Sequence, residues 1–225
     1  MKALYHATGL MVAFCLMAVV LITSVEAAVY WNEGYFEKEY TKYHVLEEVS
    51  MEMDDLLFVT DEMMAYLRGD RDDLVVNTIV DGKQREFFNA KEKRHMADVQ
   101  GLFLGAVGLR RGAAVFMVLG AAALLVKKQG LVLLRMLQWG IGLFIGGMAG
   151  LAALASTDFT EYFTYFHLLF FDNMDWYLDP ETDLLINIVP EGFFQDTAYT
   201  IAGLFLAASF ILWLGAGLLR RKAQK

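Results

Sequence analysis

Four long apolar runs constrain the fold of this chain more than any other feature of its sequence. They occupy residues 7–29, 95–126, 131–155 and 198–219, and the second run carries charges up to Arg111. About 20 apolar residues in a helix cross the roughly 30 Å hydrocarbon layer of a bilayer. Since a spanning segment must satisfy its backbone hydrogen bonds internally, each run predicts a transmembrane helix. The predicted fold is therefore an all-α-dominated integral membrane protein with four transmembrane helices.

The first run has features of a secretory signal peptide as well as of a membrane anchor. Lys2 precedes the apolar centre, and residues 25–27 loosely fit a small-residue cleavage site. The run is longer than an ordinary signal-peptide core, and further apolar runs follow it. We therefore expect an uncleaved anchor.

Small residues in the third run indicate close packing between helices. Glycine lets two helix backbones approach each other in a membrane, where apolar burial alone does not bring helices together. We expect such approaches at the glycines of this run, which are Gly140, Gly142, Gly146, Gly147 and Gly150.

Residues 30–94, between the first two apolar runs, are polar and charged and predict a small folded α+β cap. Within residues 50–70, apolar positions recur at helical spacing, with Ser50 as a capping residue and Gly69 as a stop signal. Further along, Asp81–Gly82 predicts the turn of a short β-hairpin. The segment is therefore expected to be folded rather than a disordered linker.

Basic residues predict the orientation in the membrane, because short cytoplasmic loops carry an excess of Lys and Arg. Such residues occur at the N-terminus, at 127–128 and at the C-terminus, whereas residues 156–196 contain none. Four spans place the three basic regions on one side. The sequence thus predicts cytoplasmic termini, an extracellular cap and an extracellular aromatic loop at 156–196.

Charge and cysteine content exclude several functional classes. The formal net charge is −8, which lacks the basic footprint that nucleic-acid binding needs. Cys15 is the only cysteine, so no intrachain disulfide can form and no cysteine cluster can hold a metal. Neither a phosphate-binding glycine loop nor a G-x-S-x-G serine motif occurs.

Two histidines fall at the same membrane level in this topology. His95 begins the second span, with Glu92 and Asp98 on its helical face, and a neighbouring carboxylate can fix an imidazole tautomer. His167 lies in the aromatic loop. A solvated charged helix start and an aromatic interfacial belt are the ordinary interpretations of these two segments. The catalytic interpretation has His95 and His167 as the reacting pair, supporting carboxylates Glu92, Asp98 and Asp175, and an acyl-chain pocket of Phe163, Phe166, Phe170, Phe171, Asn173 and Trp176.

Three motifs resemble the lipoprotein intramolecular transacylase family, Lit. They are ExxHMxDVxxLF at 92–103, FHLLFFDNMDWYLDPxTDLLI at 166–186 and PEGFFQD at 190–196. The resemblance covers nearly the whole chain. It implies intramolecular acyl transfer on a diacylglyceryl lipoprotein, from the sn-2 position to the amine of the N-terminal cysteine, giving a lyso-form lipoprotein. It also implies that His95 and His167 are catalytic and that the aromatic stretch around His167 is the substrate pocket. We expect one histidine to act in acid–base catalysis and the other, with a nearby donor such as Asn173, to stabilise the oxyanion; which histidine has which role stays open.

Other interpretations remain open from the sequence. A paralogue in the same membrane-protein family could share these motifs. A non-enzymatic sensor or assembly factor with a partner-binding cap predicts dispensable histidines. Haem or quinone binding between two histidines predicts a coloured or redox-active protein, and zinc would need a third ligand from Asp or Glu. We expect no cofactor and no metal, a diacylated lipoprotein substrate, and contact with membrane lipid.

Overall fold

The structure, a computed structural model, describes all 225 residues. Nine α-helices and one β-hairpin follow each other along the chain: α1 (Lys2–Tyr30), α2 (Tyr35–Lys42), α3 (Val45–Val49), α4 (Met53–Arg68), β1 (Asn77–Val80), β2 (Lys83–Glu86), α5 (Ala90–Val126), α6 (Gly130–Ala155), α7 (Phe159–Phe170), α8 (Leu184–Ile188) and α9 (Glu191–Ala223). Helices α1, α5, α6 and α9 are long and apolar enough to cross a membrane. The four-helix membrane fold predicted from the apolar runs is confirmed.

Two of these membrane helices begin well before their apolar runs. Helix α5 starts at Ala90, and the residues before His95 are mostly Lys, Glu and Arg, which are good helix formers. Helix α9 starts at Glu191, directly after Pro190. A proline there is compatible with a helix start because the first turn has no intrahelical use for its backbone N–H. The polar starts of both helices therefore extend the spans with charged residues.

The chain divides into two compact units. The first, here the membrane unit, comprises Met1–Trp31, Ala106–Thr157 and Ala198–Lys225. The second, here the site unit, comprises Asn32–Gly105 and Asp158–Thr197. The membrane unit therefore holds most of the apolar helices, and the site unit holds the predicted cap together with most of the aromatic loop.

Within the membrane unit, α1 packs closely against α6. A Cβ atom at Gly140 would collide with the Cβ of Ala13, so only glycine fits at this crossing. The other glycines of α6 differ from expectation, because Gly146, Gly147 and Gly150 have no atom within 4 Å of where a Cβ would lie. These three are exposed on this unit, and a Cβ at Gly142 would lie 4.0 Å from Trp213 Nε1. Of the five glycines, Gly140 alone therefore lies at a contact too close for a larger residue.

An ion pair lies among the apolar side chains of the membrane unit. Arg110 Nη2 of α5 donates to Glu26 Oε1 of α1 at 3.1 Å, and Arg110 Nη1 donates to the other carboxylate oxygen. Both side chains are largely buried. Charged groups in such surroundings persist only when paired, which accounts for an arginine inside a spanning helix.

Within the site unit, α4 is the amphipathic helix expected from residues 50–70. It ends at Gly69, whose φ of 78° is the left-handed conformation that closes many helices, as predicted. Ser50 does not cap α4, so that prediction is wrong. Ser50 instead ends α3 with a φ of 50°, and α4 begins at Met53. The Tyr40 hydroxyl lies 2.7 Å from Thr60 Oγ1 and joins α2 to α4 in the core of this unit.

The predicted β-hairpin is also confirmed. Strands β1 and β2 pair antiparallel, with Val80 opposite Lys83. Asp81 and Gly82 form the two-residue turn with φ values of 52° and 68°. Positive φ at both central residues is what a type I′ turn requires, which explains the Asp-Gly pair.

Candidate active site

Helix α7 positions His167. The Asp158 side chain caps the helix by accepting from the Glu161 N–H at 3.0 Å. His167 lies near the end of the helix and is only 7% exposed. Its Nδ1 atom is 2.7 Å from the carbonyl oxygen of Phe163, one helical turn earlier. Because a carbonyl only accepts, Nδ1 carries the ring proton and Nε2 of the neutral ring keeps a free lone pair.

His95 of α5 faces His167. The two ring centroids are 6.1 Å apart, and the rings are tilted by 34°. His95 is 8% exposed, and its Nδ1 atom is buried without a hydrogen-bond partner. The ring of Phe171 contacts both imidazoles, with centroid distances of 5.3 Å to His95 and 5.5 Å to His167. The structure thus brings together the two histidines that the sequence singled out.

Aromatic rings surround His167 on several sides. Trp176 stacks on it at 4.8 Å with an interplanar angle of 29°, and the Phe163 ring contacts it edge-on at 4.3 Å. Phe166 is 5.5 Å away. Phe170 packs on Phe166 at 4.8 Å rather than on the histidine, and both phenylalanines are about half exposed. The predicted pocket residues therefore form an inner group at the histidine and an outer apolar edge.

Burial changes the acid–base behaviour of His167. Removal from water lowers the pKa of His167, and the hydrogen bond to the Phe163 carbonyl offsets part of that decrease. The imidazole is therefore neutral at pH 7. A neutral ring with a free Nε2 can accept a proton.

Helix α5 fastens the loop that carries Trp176. Arg94 holds Asp175 with two hydrogen bonds, Nε to Oδ2 at 2.8 Å and Nη2 to Oδ1 at 2.9 Å. This contact with Arg94 lowers the pKa of Asp175, which stays ionised. One turn further on, Asp98 Oδ2 accepts from Asn173 Nδ2 at 2.8 Å. The carboxylates Asp98 and Asp175 are thus engaged in positioning the loop.

Glu92 is the most buried of the three predicted carboxylates, at 1% exposure. Its Oε2 accepts from the Asn89 N–H, and its Oε1 accepts from the Leu185 N–H, both at 2.6 Å. The carboxylate is thus directed at backbone donors. It holds the start of α5 against the start of α8.

Three residues of this arrangement were not identified from the sequence, namely Asn89, Lys91 and Arg94. Asp183, only 3% exposed, accepts from Asn89 Nδ2 at 2.7 Å and from Lys91 Nζ at 3.3 Å. Lys91 also donates to the carbonyl oxygen of Tyr177 at 2.6 Å. Lys91 precedes His95 by one helical turn, so the helical spacing of α5 was a signal that could have placed it on the same face.

The third motif, residues 190–196, contacts α2 and Tyr43 rather than the histidine pair. The Tyr43 hydroxyl donates to Asp196 Oδ2 at 2.7 Å. A Cβ at Gly192 would lie 2.8 Å from Tyr43 Cζ, so glycine makes room for this ring. Phe193 packs against the aromatic rings of α2. The motif therefore fastens α2 to the start of α9.

These features define an integral membrane protein with four spanning helices and a buried histidine pair among aromatic rings. The family model described as lipoprotein intramolecular transacylase Lit matches residues 10–194, most of the chain. The chain therefore belongs to the Lit family of lipoprotein intramolecular transacylases and is a multi-pass membrane acyltransferase of lipoprotein maturation. None of the curated proteins compared with the chain matches it.

Solved structures of one relative share the fold. The membrane-integral lipoprotein intramolecular transacylase Lit from Bacillus cereus superposes with a TM-score of 0.80 at 21% identity, over 100% of both chains. A histidine-to-alanine mutant of that protein superposes with a TM-score of 0.78 at 22% identity, over 99% of this chain and 96% of the other. At this identity the likeness shows the fold.

Proposed function

We propose that this enzyme moves the sn-2 acyl chain of a diacylglyceryl lipoprotein to the amine of its N-terminal cysteine, by acid–base catalysis from His95 and His167. One observation carries the proposal: the two buried imidazoles are 6.1 Å apart, and the Phe163 carbonyl fixes the tautomer of His167. The family supplies the reaction type, an intramolecular transacylation. The product is a lyso-form lipoprotein with an N-acylated cysteine.

His167 acts as the base in this proposal. An α-amine has a pKa of about 7.7–8.0, so a fraction of the substrate amine is already neutral at pH 7. When the amine attacks the ester, its nitrogen becomes acidic, and His167 Nε2 accepts the proton. The same imidazolium then donates to the departing glyceryl oxygen. Deprotonating an ammonium with an ordinary histidine costs about 2 kcal/mol. Burial lowers the pKa of His167 and makes that transfer less favourable, so the proton leaves the nitrogen after the attack rather than before it.

His95 offers a ring nitrogen to the substrate. Its Nδ1 is buried without a protein partner, so a bound substrate can supply the missing hydrogen bond. Asp98, one turn along α5, is already bonded to Asn173. His95 is therefore free to orient the glyceryl and amine groups against His167.

The aromatic surroundings suit an intramolecular reaction. Holding two groups of one molecule in reacting geometry gives effective molarities of up to about 10⁵–10⁸ M, so no strong nucleophile is required. Apolar rings around His167 exclude water, which would otherwise hydrolyse the ester. The exposed rings of Phe166 and Phe170 offer an apolar surface to the acyl chains of the substrate.

The proposal is tested by single substitutions of the two histidines. In a host without other N-acylating enzymes, mass spectrometry of the lipoprotein N-terminal peptide should show conversion falling roughly 10²- to 10⁴-fold in His95→Ala and in His167→Ala. His44→Ala is the matched control, because His44 is an exposed residue of the same unit. Full activity in both site variants would contradict the proposal.

We also propose that both termini are cytoplasmic and that the site opens at the extracellular membrane face. The support is the charge pattern: Lys and Arg at the termini and at 127–128, and none in 156–196. Alkaline phosphatase, which is active only outside the cytoplasm, should be inactive when fused after Lys225 and active when inserted after Gly82. The reverse pattern would overturn this orientation.

A further inference from the structure

Two buried polar atoms beside His167 have no hydrogen-bond partner. One is His95 Nδ1, and the other is Nε1 of Trp176. An indole nitrogen is a donor only, so it cannot be satisfied by another N–H group. Leaving a buried donor unpaired costs about 1–3 kcal/mol. A bound group with an acceptor oxygen would recover that free energy.

The backbone on both sides of Trp176 is anchored to α5. Asp175, which precedes it, is held by two hydrogen bonds from Arg94. The carbonyl of Tyr177, which follows it, accepts from Lys91 Nζ at 2.6 Å. The indole itself stacks on His167 at 4.8 Å. The unpaired N–H therefore has a set position beside the imidazole before any substrate arrives.

The other polar side chain of the predicted pocket is already engaged. Asn173 Nδ2 donates to Asp98, and Asn173 Oδ1 accepts from the Asp175 N–H at 2.9 Å. These bonds orient the amide within the loop and use one of its two N–H donors. Trp176 differs from Asn173 because its single N–H has no partner and its ring stacks directly on His167.

We propose that the indole N–H of Trp176 donates a hydrogen bond to the carbonyl oxygen of the sn-2 ester and to the oxyanion that forms on it. This inference rests on the proposed function and adds a catalytic residue to it. A preorganised donor aimed at developing charge in a site without water stabilises the transition state more than the ground state. Stacking on His167 sets this donor beside the base that removes the amine proton.

The step balances without any other reactant. The amine nitrogen forms a bond to the ester carbonyl carbon, and the π electron pair moves to oxygen, where the Trp176 N–H stabilises it without losing its own proton. His167 Nε2 takes the proton from nitrogen. The carbonyl then re-forms, the bond from carbon to the glyceryl oxygen breaks, and that oxygen takes the proton from His167. An amide and a free hydroxyl result, and no water is consumed.

The test replaces the N–H without removing the stacked ring. In the full-length protein, Trp176 is replaced by 3-benzothienylalanine, in which sulfur stands where the indole has N–H. We expect kcat for a diacyl lipopeptide to fall roughly 10²- to 10³-fold with KM nearly unchanged, as for loss of one oxyanion donor. The same replacement of Trp139, an exposed tryptophan of α6, is the control and should leave both constants unchanged.

Two outcomes separate this inference from the proposed function. If the benzothienyl variant keeps its kcat while Trp176→Phe and His167→Ala lose theirs, the ring matters only for stacking and the donor role is overturned. If the wild-type protein forms no N-acylated cysteine, the proposed function itself fails.

A binding experiment tests the same contact without turnover. In the wild-type protein, a saturating diacyl lipopeptide whose N-terminal amine is acetylated, and which therefore cannot react, should move the indole ¹H–¹⁵N resonance of Trp176 downfield, as a new hydrogen bond to oxygen does. An unchanged resonance at saturation would overturn the inference.

Discussion

The membrane unit and the site unit differ in the interactions that stabilise each of them internally. In the membrane unit, α1 and α6 meet where glycine meets alanine, and apolar clusters such as Met17, Ile141 and Phe205 fill the interior. In the site unit, Arg94 and Asp98 of α5 hold the loop after α7 through hydrogen bonds to Asp175 and Asn173. Lipid tails are as apolar as leucine, so helices in a membrane depend on close contact. A reaction site depends on directional bonds that hold groups in reacting geometry.

Each unit also contains its own reporter, which allows the contrast to be measured. Cys15, the only cysteine, lies in α1 of the membrane unit. Trp176 is the only tryptophan of the site unit, and the other three are Trp31, Trp139 and Trp213. Maleimide labelling of Cys15 therefore follows the membrane unit. Trp176 fluorescence, with the other three tryptophans replaced by phenylalanine, follows the site unit.

The largest expected effect on stability is that of Glu92→Ala. The change leaves the buried N–H of Leu185 without an acceptor, at about 1–3 kcal/mol, and also removes the acceptor of the partly buried Asn89 N–H. We expect the Trp176 signal to be lost at a lower denaturant concentration, together with activity, while Cys15 labelling is little changed. Glu86→Ala, which removes a partly exposed carboxylate, is the control. If Trp176 fluorescence and Cys15 labelling shifted to lower denaturant concentration by the same amount, the two units would unfold together, which would contradict their separate stabilisation.

Gly140→Leu is the corresponding change in the membrane unit. A larger side chain at the crossing with Ala13 overpacks the contact and should destabilise by about 1–3 kcal/mol. Cys15 should therefore become reactive at a lower temperature. Gly146→Leu is the matched control, because a Cβ at Gly146 would have no protein atom within 4 Å. The comparison fails if the two leucine variants behave alike.

Arg94→Lys should separate positioning from stability. Lysine keeps the charge but loses the two-pronged contact with Asp175. The Arg94 side chain is mostly exposed, so we expect less than about 1 kcal/mol of lost stability. We expect kcat to fall about tenfold, since small misplacements of a positioning group are costly. Arg71→Lys, at an ion pair of the same unit, should leave kcat unchanged. A stability loss as large as that of Glu92→Ala would contradict the positioning role and show that Arg94 mainly stabilises the site unit.

The smallest effect is a pH dependence that belongs to the site unit alone. Well above pH 6.5, the ordinary pKa of histidine, His167 is neutral in both the folded and the unfolded chain, so it adds no slope. Below that, the unfolded imidazole binds a proton that the buried one binds less readily, because burial lowers the pKa of folded His167. Site-unit stability should therefore fall from pH 6.5 towards the folded pKa, followed by Trp176 fluorescence. His167→Gln should reduce this slope, and an unchanged slope would contradict its cause.

Several features were predictable because they are local. Apolar runs of spanning length identified the four membrane helices, and Asp81–Gly82 identified the hairpin turn. Local sequence patterns predicted less well where the same residue type is compatible with two structures. Ser50 fits a helix start by type, yet its backbone ends α3. The glycines of α6 are alike in sequence, and only the position of α1 distinguishes Gly140 from the others.

The sequence by itself determined that the chain enters a membrane four times, and the motifs identified His95 and His167 as candidates. Both conclusions rest on chemistry read along a single segment. Only the tertiary structure showed that the two imidazoles face each other, that Glu92 bonds to backbone N–H groups, and that Trp176 keeps an unpaired N–H. Those facts depend on contacts between segments distant in the chain. Such contacts form only when helix packing brings a donor of one segment next to an acceptor of another.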